Sequence, residues 1–511
     1  MNKRLICLAT GLYLAGTLQA ALACTTIIVG KGASVDGSLI IARNEDTSNA
    51  VDPQLIMRHD PSTEDYVFRS NSFGNPANNQ FSWQMPAGTL GYVAFPEWES
   101  VQAGNPSFEE VGFNDRGVAL SATETIFNSD AVLAVDPYLV ETGIGEDGIT
   151  TVVLPQAASA RHGVLLLGYI IEHVGAGEGF GVAFTDAHEA WYLETVSGHH
   201  WVAQRIPDDA YFVSANQGRF QQVNLSDPLN VMASAGLAVF LIEQGLYDPS
   251  QGPLDLFACC IANGTHDQTY NYPRVERLLS LYSGLDETGK DGRFSLFPTP
   301  SEKLSIADVA RGLRDYYQGT THDPYTHQNP QEPWRPISVL RASLSHITQT
   351  RSELPVAIGR VNYIALGMTA LSAYVPIYWG LSELPAEYQH ASDQADDESL
   401  FWRYRKLQTL VFQDYPRFAP KVQQAIHAFE QENAREQRQM EQAYLASYQQ
   451  EPAFAKSLIQ KFTGAMLTRQ RVMLDQLTTT LARQLDMQDL RNDDYTRMIH
   501  EIETSYHFHG A

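Results

Sequence analysis

From residue 24 to about 385 the chain alternates short β-branched runs with turn signals. Thr25-Thr-Ile-Ile-Val29 reads as a buried strand, Gly32 and Asp36-Gly37 as a turn, and Ser38-Leu-Ile-Ile-Ala42 as the returning strand. Residues 110–125 read as a second hairpin turning at Asn114-Asp-Arg-Gly117. Residues 180–184, 190–194, 201–205 and 211–214 are strand-like. Residues 51–96, rich in Asn, Pro and aromatics, read as loops with short strands. Residues 150–175 are helical in pattern, with apolar Leu165, Leu166, Ile170, Ile171 and Val174 in the second half. Strand pairs flanking a helical segment predict an α+β fold of stacked antiparallel sheets with helices outside.

The pattern changes near residue 385. Residues 386–398 are polar and acidic, and the rest is mostly helical in period. Ile426, Phe429, Met440 and Tyr444 are the spaced apolar positions of one stretch. Pro452 ends it, and residues 458–485 form another. A chain of 511 residues exceeds one ordinary core. The expected organisation is therefore a catalytic domain over 24–385 and a helical region over 386–511. That region packs on the core, packs on a second copy in a homo-oligomer, or forms a solvated appendage.

The first 23 residues read as a signal peptide. Met1-Asn-Lys-Arg4 is a basic n-region, an uncharged apolar stretch follows from Leu5, and Ala21-Leu-Ala23 is a cleavage site. Cleavage there implies a periplasmic or secreted protein whose first residue is Cys24, with a free α-amine beside its thiol. Three other readings stay open. A membrane anchor is one, but Thr10, Gly11, Gly16, Thr17 and Gln19 dilute the run, and its apolar part is shorter than the ~20 residues of a span. A lipidated Cys24 is another, but such sites favour a large residue where Ala21 stands. The third is a buried structural thiol.

Charge and cysteine content narrow the class. The formal net charge of −24 argues against nucleic acid or an anionic membrane as partner. Of four cysteines, Cys7 leaves with the signal peptide, and the vicinal Cys259-Cys260 are poorly placed to bridge each other. No disulfide framework is expected.

The first hairpin concentrates chemistry. With Gly30 pairing near Gly37, Cys24 falls opposite Arg43, and Arg43-Asn-Glu-Asp46 lies at the same sheet end as the new N-terminus. A one-residue slip would turn Arg43 to the other face. A guanidinium beside the sulfur favours the thiolate, and a carboxylate near the α-amine orients it. The neutral amine can then take the thiol proton as sulfur attacks a carbonyl. The competing reading of Arg43 and Asp46 is a solvated ion pair at a strand end.

Cys24-Thr-Thr-Ile-Ile-Val followed by Gly37-Ser-Leu-Ile-Ile-Ala-Arg-Asn-Glu-Asp46 resembles the cysteine N-terminal-nucleophile (Ntn) hydrolases. Within them the chain is similar to the secreted dipeptidase family, relatives of bile-salt hydrolase and penicillin V acylase. The ordered set Gly112-Phe-Asn-Asp-Arg-Gly117, Leu154-Pro-Gln-Ala157, Ala190-Trp-Tyr-Leu-Glu194, Ala215-Asn-Gln217, Arg335-Pro-Ile-Ser-Val339 and Tyr374-Val-Pro376 carries the same resemblance over roughly 24–385. It implies an αββα sandwich of two stacked antiparallel sheets, a thioester intermediate, small peptide substrates, and no metal or other cofactor. It implies Cys24 as nucleophile, Arg43 as the arginine beside it, and Asp46 as the acid that holds the amine. Asn216 matches an oxyanion-side asparagine, a neutral donor suited to that role. Arg274 matches a further active-site arginine, with Arg277 as the alternative register. Glu124 stands where bile-salt hydrolases carry an asparagine donor. A carboxylate cannot stabilise an oxyanion, so Glu124 is expected to bind the α-ammonium of an unblocked peptide, or to be a structural acid. The alternatives are an acylase of the same fold acting on N-acyl amides, and a lipidated envelope protein without hydrolytic activity.

Other pairs carry less. His199-His200 would point to opposite faces of a strand and do not chelate one metal easily. The spacing in Gly175-Ala-Gly-Glu-Gly-Phe-Gly181 does not suit a dinucleotide loop and marks a tight helix-to-strand passage.

Overall fold

The computed structural model describes residues 24–70, 79–288, 290–326 and 334–506. The signal-peptide reading of residues 1–23 lies outside these. Two antiparallel sheets form the body. The first has six strands in the order Tyr211–Ser214, Thr25–Val29, Leu39–Asp46, Ala342–Thr350, Arg360–Leu366 and Val375–Tyr378. The second has eight, in the order Val231–Ala233, Trp201–Arg205, Ala190–Thr195, Phe180–Thr185, Ala119–Thr125, Val111–Asn114, Tyr92–Ala94 and Met57–His59. The α+β class, the first two hairpins and the strand runs between 180 and 214 match the sequence pattern.

Alternation along each strand sorts side chains into layers. Ile28, Leu39 and Ile41 of the first sheet meet Phe113, Ala119, Ala183 and Tyr192 of the second in one buried cluster. The opposite residues Ile27, Val29, Ile40 and Ala42 pack on Val275, Leu278 and Leu279 of helix Tyr272–Ser283 and Val309 and Leu313 of helix Ile306–Leu313. Leu120, Val182, Phe184, Trp191 and Leu193 turn away from the first sheet onto helices Glu146–Val153 and Ala160–Val174.

The helix expected over 150–175 is two helices. Leu154–Gln156 is a 3-10 turn around Pro155, and Ser159 caps the second helix by accepting from the His162 backbone N–H. Proline lacks the N–H that would carry one helix through, so the chain restarts at a capping serine. Pro452 likewise opens helix Pro452–Gln484, where its missing donor costs nothing.

The first hairpin is two residues out of the expected register. Thr26 pairs with Arg43 and Val29 with Ile40, so Glu45, not Arg43, falls across from Cys24. Gly30 continues the ladder on the other side of the strand, its N–H bonding to Ala210 O at 2.9 Å. A Cβ on Gly30 would lie 2.3 Å from Pro207 O, so only glycine permits this approach. A two-residue shift preserves the face of every side chain.

The region beyond 385 packs on the body. Leu400–Val411, Tyr415–Ser447, Pro452–Gln484 and Asn492–Ser505 are helices. Trp402, Leu407, Phe418, Val422 and Met466 share one core with Val361, Ile364, Val375 and Ile377 of the first sheet. Arg314–Glu430 and Arg351–Glu441 ion pairs fasten the same contact. Among the described residues no helix is long and apolar enough to cross a membrane.

Two glycine substitutions should move stability in opposite directions. A Cβ on Gly168 would stand 2.2 Å from the Trp201 ring, so Gly168→Ala is expected to cost about 1–3 kcal/mol. Gly464 is exposed in helix Pro452–Gln484 with nothing near its absent Cβ, so Gly464→Ala is expected to add about 0.5–1 kcal/mol. Urea unfolding of each variant checks both signs.

Candidate active site

Cys24 precedes the strand Thr25–Val29 and is fully buried. Strand parity puts its side chain with Thr26, Arg43 and Glu45 on the face toward the second sheet. The thiol donates to Glu45 Oε2 at 3.3 Å, and Arg43 Nη1 donates to the sulfur at 3.8 Å. Arg43 Nη2 also pairs with Glu45 Oε2 at 2.9 Å and with Glu110. Its Nη groups also donate to Glu110 O at 3.3 Å, to Ala122 O at 2.5 Å and to Thr123 O. Thr123 is the extra residue of a bulge in Ala119–Thr125, since Ala122 faces Val182 and Glu124 faces Gly181. A bulge leaves its ladder groups unpaired locally, and here both carbonyls turn to the guanidinium.

The electrostatics of the sulfur follow. Burial pushes the thiol well up and Glu45 adds to this, while Arg43 pulls the other way. The expectation that Arg43 makes a thiolate is therefore outweighed: its charge is already shared with Glu45 and Glu110. Burial pushes Glu45 up to about 7, and pushes Glu110 and Glu146 well above the usual carboxylate range. The carboxylate oxygens of Glu45, Glu110 and Glu146 lie within 4.8 Å of one another, a grouping with the ligand types of a hard-cation site. The Arg43 guanidinium already pairs with two of the three carboxylates.

Asp46 and Arg274 approach from the other face. Asp46 points away from the sulfur and forms a fully buried ion pair with Arg335. It lies one residue beyond Glu45, toward the backbone nitrogen of Cys24. Arg274 Nη1 donates to Cys24 O at 2.5 Å and to Thr25 Oγ1 at 2.9 Å. Its Nη2 donates to Asn216 Oδ1 at 2.8 Å and Asn271 Oδ1 at 2.7 Å. Arg277, one turn on, instead pairs with Asp315 at 2.9 Å and is part-exposed. Of the two registers, the fold thus brings Arg274 to Cys24.

Asn216 is buried in the left-handed region at φ +43°, an uncommon place for a side-chain-bearing residue. Three bonds hold it there. Its N–H donates to Glu124 Oε1 at 2.7 Å, its carbonyl accepts from Asn271 Nδ2 at 3.1 Å, and Arg274 donates to its Oδ1. With Oδ1 taken, Nδ2 is the donor end of the amide, resting on Thr125 O at 3.2 Å. The other Glu124 oxygen accepts from Thr26 Oγ1 at 2.6 Å. Cys24, Arg43, Asn216, Arg274 and Glu124 thus form one network, with Asp46 beside it. Glu45, Glu110, Glu146 and Asn271 belong to it as well, and Arg335 is paired with Asp46. Glu45 and Arg335 were signalled by the motifs that contain them; Glu110, Glu146 and Asn271 reach the site only through folding.

The remaining pairs have local roles. His199 and His200 precede the strand Trp201–Arg205, and their Nδ1 atoms bond Asp136 and Ser234 separately. Cys259 and Cys260 are free thiols.

The sequence matches peptidase family C69 over residues 23–428. It is 49% identical over 376 residues to a probable dipeptidase of Salmonella dublin, covering 73% of this chain and 84% of that protein. It is 33% identical over 405 residues to probable dipeptidase A of Streptococcus pyogenes serotype M3, covering 77% and 84%. It is also 33% identical over 420 residues to a dipeptidase of Bifidobacterium longum, covering 76% and 77%.

Arg335→Ala should cost about 3–5 kcal/mol in urea unfolding, because it leaves the Asp46 carboxylate buried and unpaired. Adding Asp46→Ala should recover part of that loss, so the double variant should lose less than the two single losses together.

Proposed function

This chain belongs to peptidase family C69 and is a peptide-bond hydrolase, and from that premise we propose that it is a dipeptidase cutting unblocked dipeptides with Cys24 as nucleophile. The observation that carries this reading is the seating of one thiol between a carboxylate and a guanidinium at the start of a strand, with Arg274 on its own carbonyl. The dipeptidase names of the relatives support the substrate class. The layer order of helices, two facing antiparallel sheets and helices supports an Ntn-hydrolase αββα sandwich.

In this reading, removal of residues 1–23 on export to the periplasm or exterior both delivers and activates the enzyme. The Cys24 sulfur attacks the peptide carbonyl and forms a thioester. The freed α-amine exchanges protons with the reacting groups, and water releases the acid. Asp46, at the sheet end where the amine emerges, holds that amine. Asn216 Nδ2 is the neutral donor for the oxyanion, oriented by Arg274. Arg43 steadies charge at the sulfur. Glu124 supplies the negative charge that recognises the substrate's α-ammonium. Its bonds to Thr26 and the Asn216 N–H favour a second role, holding Asn216 in its left-handed conformation.

Protein beginning at Cys24 is expected to hydrolyse unblocked dipeptides and to act far more slowly on their N-acetyl forms, a bile salt or penicillin V. Cys24→Ala, and protein retaining Ala23, should lose turnover. Full activity in either would sink the mechanism. Intact mass of the mature protein tests for a lipid on Cys24. Glu124→Gln should raise KM for unblocked dipeptides about tenfold or more, the worth of one charged hydrogen bond. A fall in kcat at unchanged KM assigns Glu124 to holding Asn216 instead.

A further inference from the structure

We propose that Glu45 is a second catalytic residue, the group that takes the Cys24 thiol proton, leaving the α-ammonium free to act as the acid. The inference rests on the reading of Cys24 as nucleophile. Its basis is contact: the S–H donates to Glu45 Oε2, and Arg43 donates to the sulfur and is ion-paired with that same oxygen. The guanidinium therefore bridges proton donor and acceptor and stays beside the negative charge as it passes from carboxylate to sulfur.

The surroundings make Glu45 suited to accept and return a proton. Arg43, two residues back on the same strand, faces Glu45; from the second sheet and the segment before it come Glu110 and the Thr123 carbonyl, and Glu124 lies beyond Thr26. From helix Glu146–Val153 comes Glu146, which accepts from Thr123 Oγ1 at 2.7 Å and whose N–H bonds Glu178. His346 of Ala342–Thr350 bonds Ser121 and is held neutral by burial and by Arg43. Arg335, on the other face, is engaged by Asp46. On this face, Glu45, Glu110 and Glu146 thus surround one cation. Carboxyls this close in a buried site cannot all ionise, so they hold shared protons near neutrality. A free α-amine, ordinarily near ~7.7–8.0, is mostly an ammonium at pH 7, a ready acid and a poor base.

The proton balance closes. In acylation the thiol S–H breaks, an O–H forms on Glu45, and the sulfur electron pair bonds the carbonyl carbon. The C–N bond then breaks as the α-ammonium protonates the leaving amine. In deacylation the neutral α-amine takes a proton from water as its oxygen attacks the thioester. The C–S bond breaks, and the Glu45 proton returns to sulfur.

The test uses mature protein beginning at Cys24. Glu45→Gln is expected to lower kcat roughly 10²–10⁴-fold with KM within threefold, and to erase the acid limb of the pH profile of kcat/KM. Glu45→Asp should restore that limb and part of kcat. Rising pH should activate wild type through the carboxyl ionisation, below that of the amine. Wild-type kcat and an unchanged limb in Glu45→Gln would overturn the inference while leaving Cys24 in place, whereas activity in Cys24→Ala overturns the underlying reading. If Glu45→Gln does not fold, protein retaining Ala23 decides. There, iodoacetamide should still alkylate Cys24 with the pH dependence of the mature form. Loss of reactivity once the amine is blocked would assign the proton to the amine instead.

Discussion

Arg43 is buried between the two sheets, and the arrangement around Cys24 depends on meeting its charge. Desolvating a guanidinium costs several kcal/mol unless its donors and charge are fully met. Two carboxylates meet the charge here, and three backbone carbonyls accept from the two Nη groups. Each partner constrains the fold. The bulge at Thr123 turns its carbonyls inward, Glu110 is brought to the sheet interface, and the hairpin register sets Glu45 beside the sulfur. A buried pair of this kind contributes little net stability, but removing one partner is expensive. The interaction therefore specifies geometry more than it stabilises.

The site uses both faces of one sheet. Cys24, Arg43 and Glu45 lie between the sheets, whereas Asp46, Asn271 and Arg274 lie under the helices of the opposite layer. The two halves meet at the Cys24 backbone and at Asn216. That asparagine reaches its left-handed backbone only because Glu124, Asn271 and Arg274 each bond a different part of it. The C-terminal helices pack through Trp402, Phe418, Val422 and Met466. They cover the far edge of the first sheet and share its core, so the change of pattern near residue 385 marks a change of secondary structure and not the edge of a packing unit.

Much of the body was legible from β-branched runs and the turn signals between them. Continuous β-branched and aromatic runs located Thr25–Val29, Val111–Asn114, Ala119–Thr125, Phe180–Thr185 and Trp201–Arg205, because both faces of these strands are buried. Helix ends were less legible. Pro155 broke one expected helix and Pro452 opened another, since the same residue serves as stop or start according to what caps the next turn. Among the site residues, Cys24, Arg43 and Asp46 lie close in sequence on one hairpin. Arg274 could not be separated from Arg277 by spacing, because both lie on one helix three residues apart, and only the helix's orientation against Cys24 decides between them.

By itself, the sequence determined the sheet-forming runs, the acidic balance, the absence of a disulfide framework, and the local hairpin that gathers a cysteine, an arginine and two acids. Those properties depend on side-chain period and short-range geometry. Only the tertiary structure decided that the hairpin slips by two residues, that Glu45 rather than Arg43 faces the sulfur, and that Glu110, Glu146 and Arg335 complete the site. The hairpin strands are also paired on their outer sides, Thr25–Val29 with Tyr211–Ser214 and Leu39–Asp46 with Ala342–Thr350, and those partners lie far along the chain. Burial of so many carboxyls around one guanidinium is likewise a property of sheets brought face to face, which no local pattern encodes.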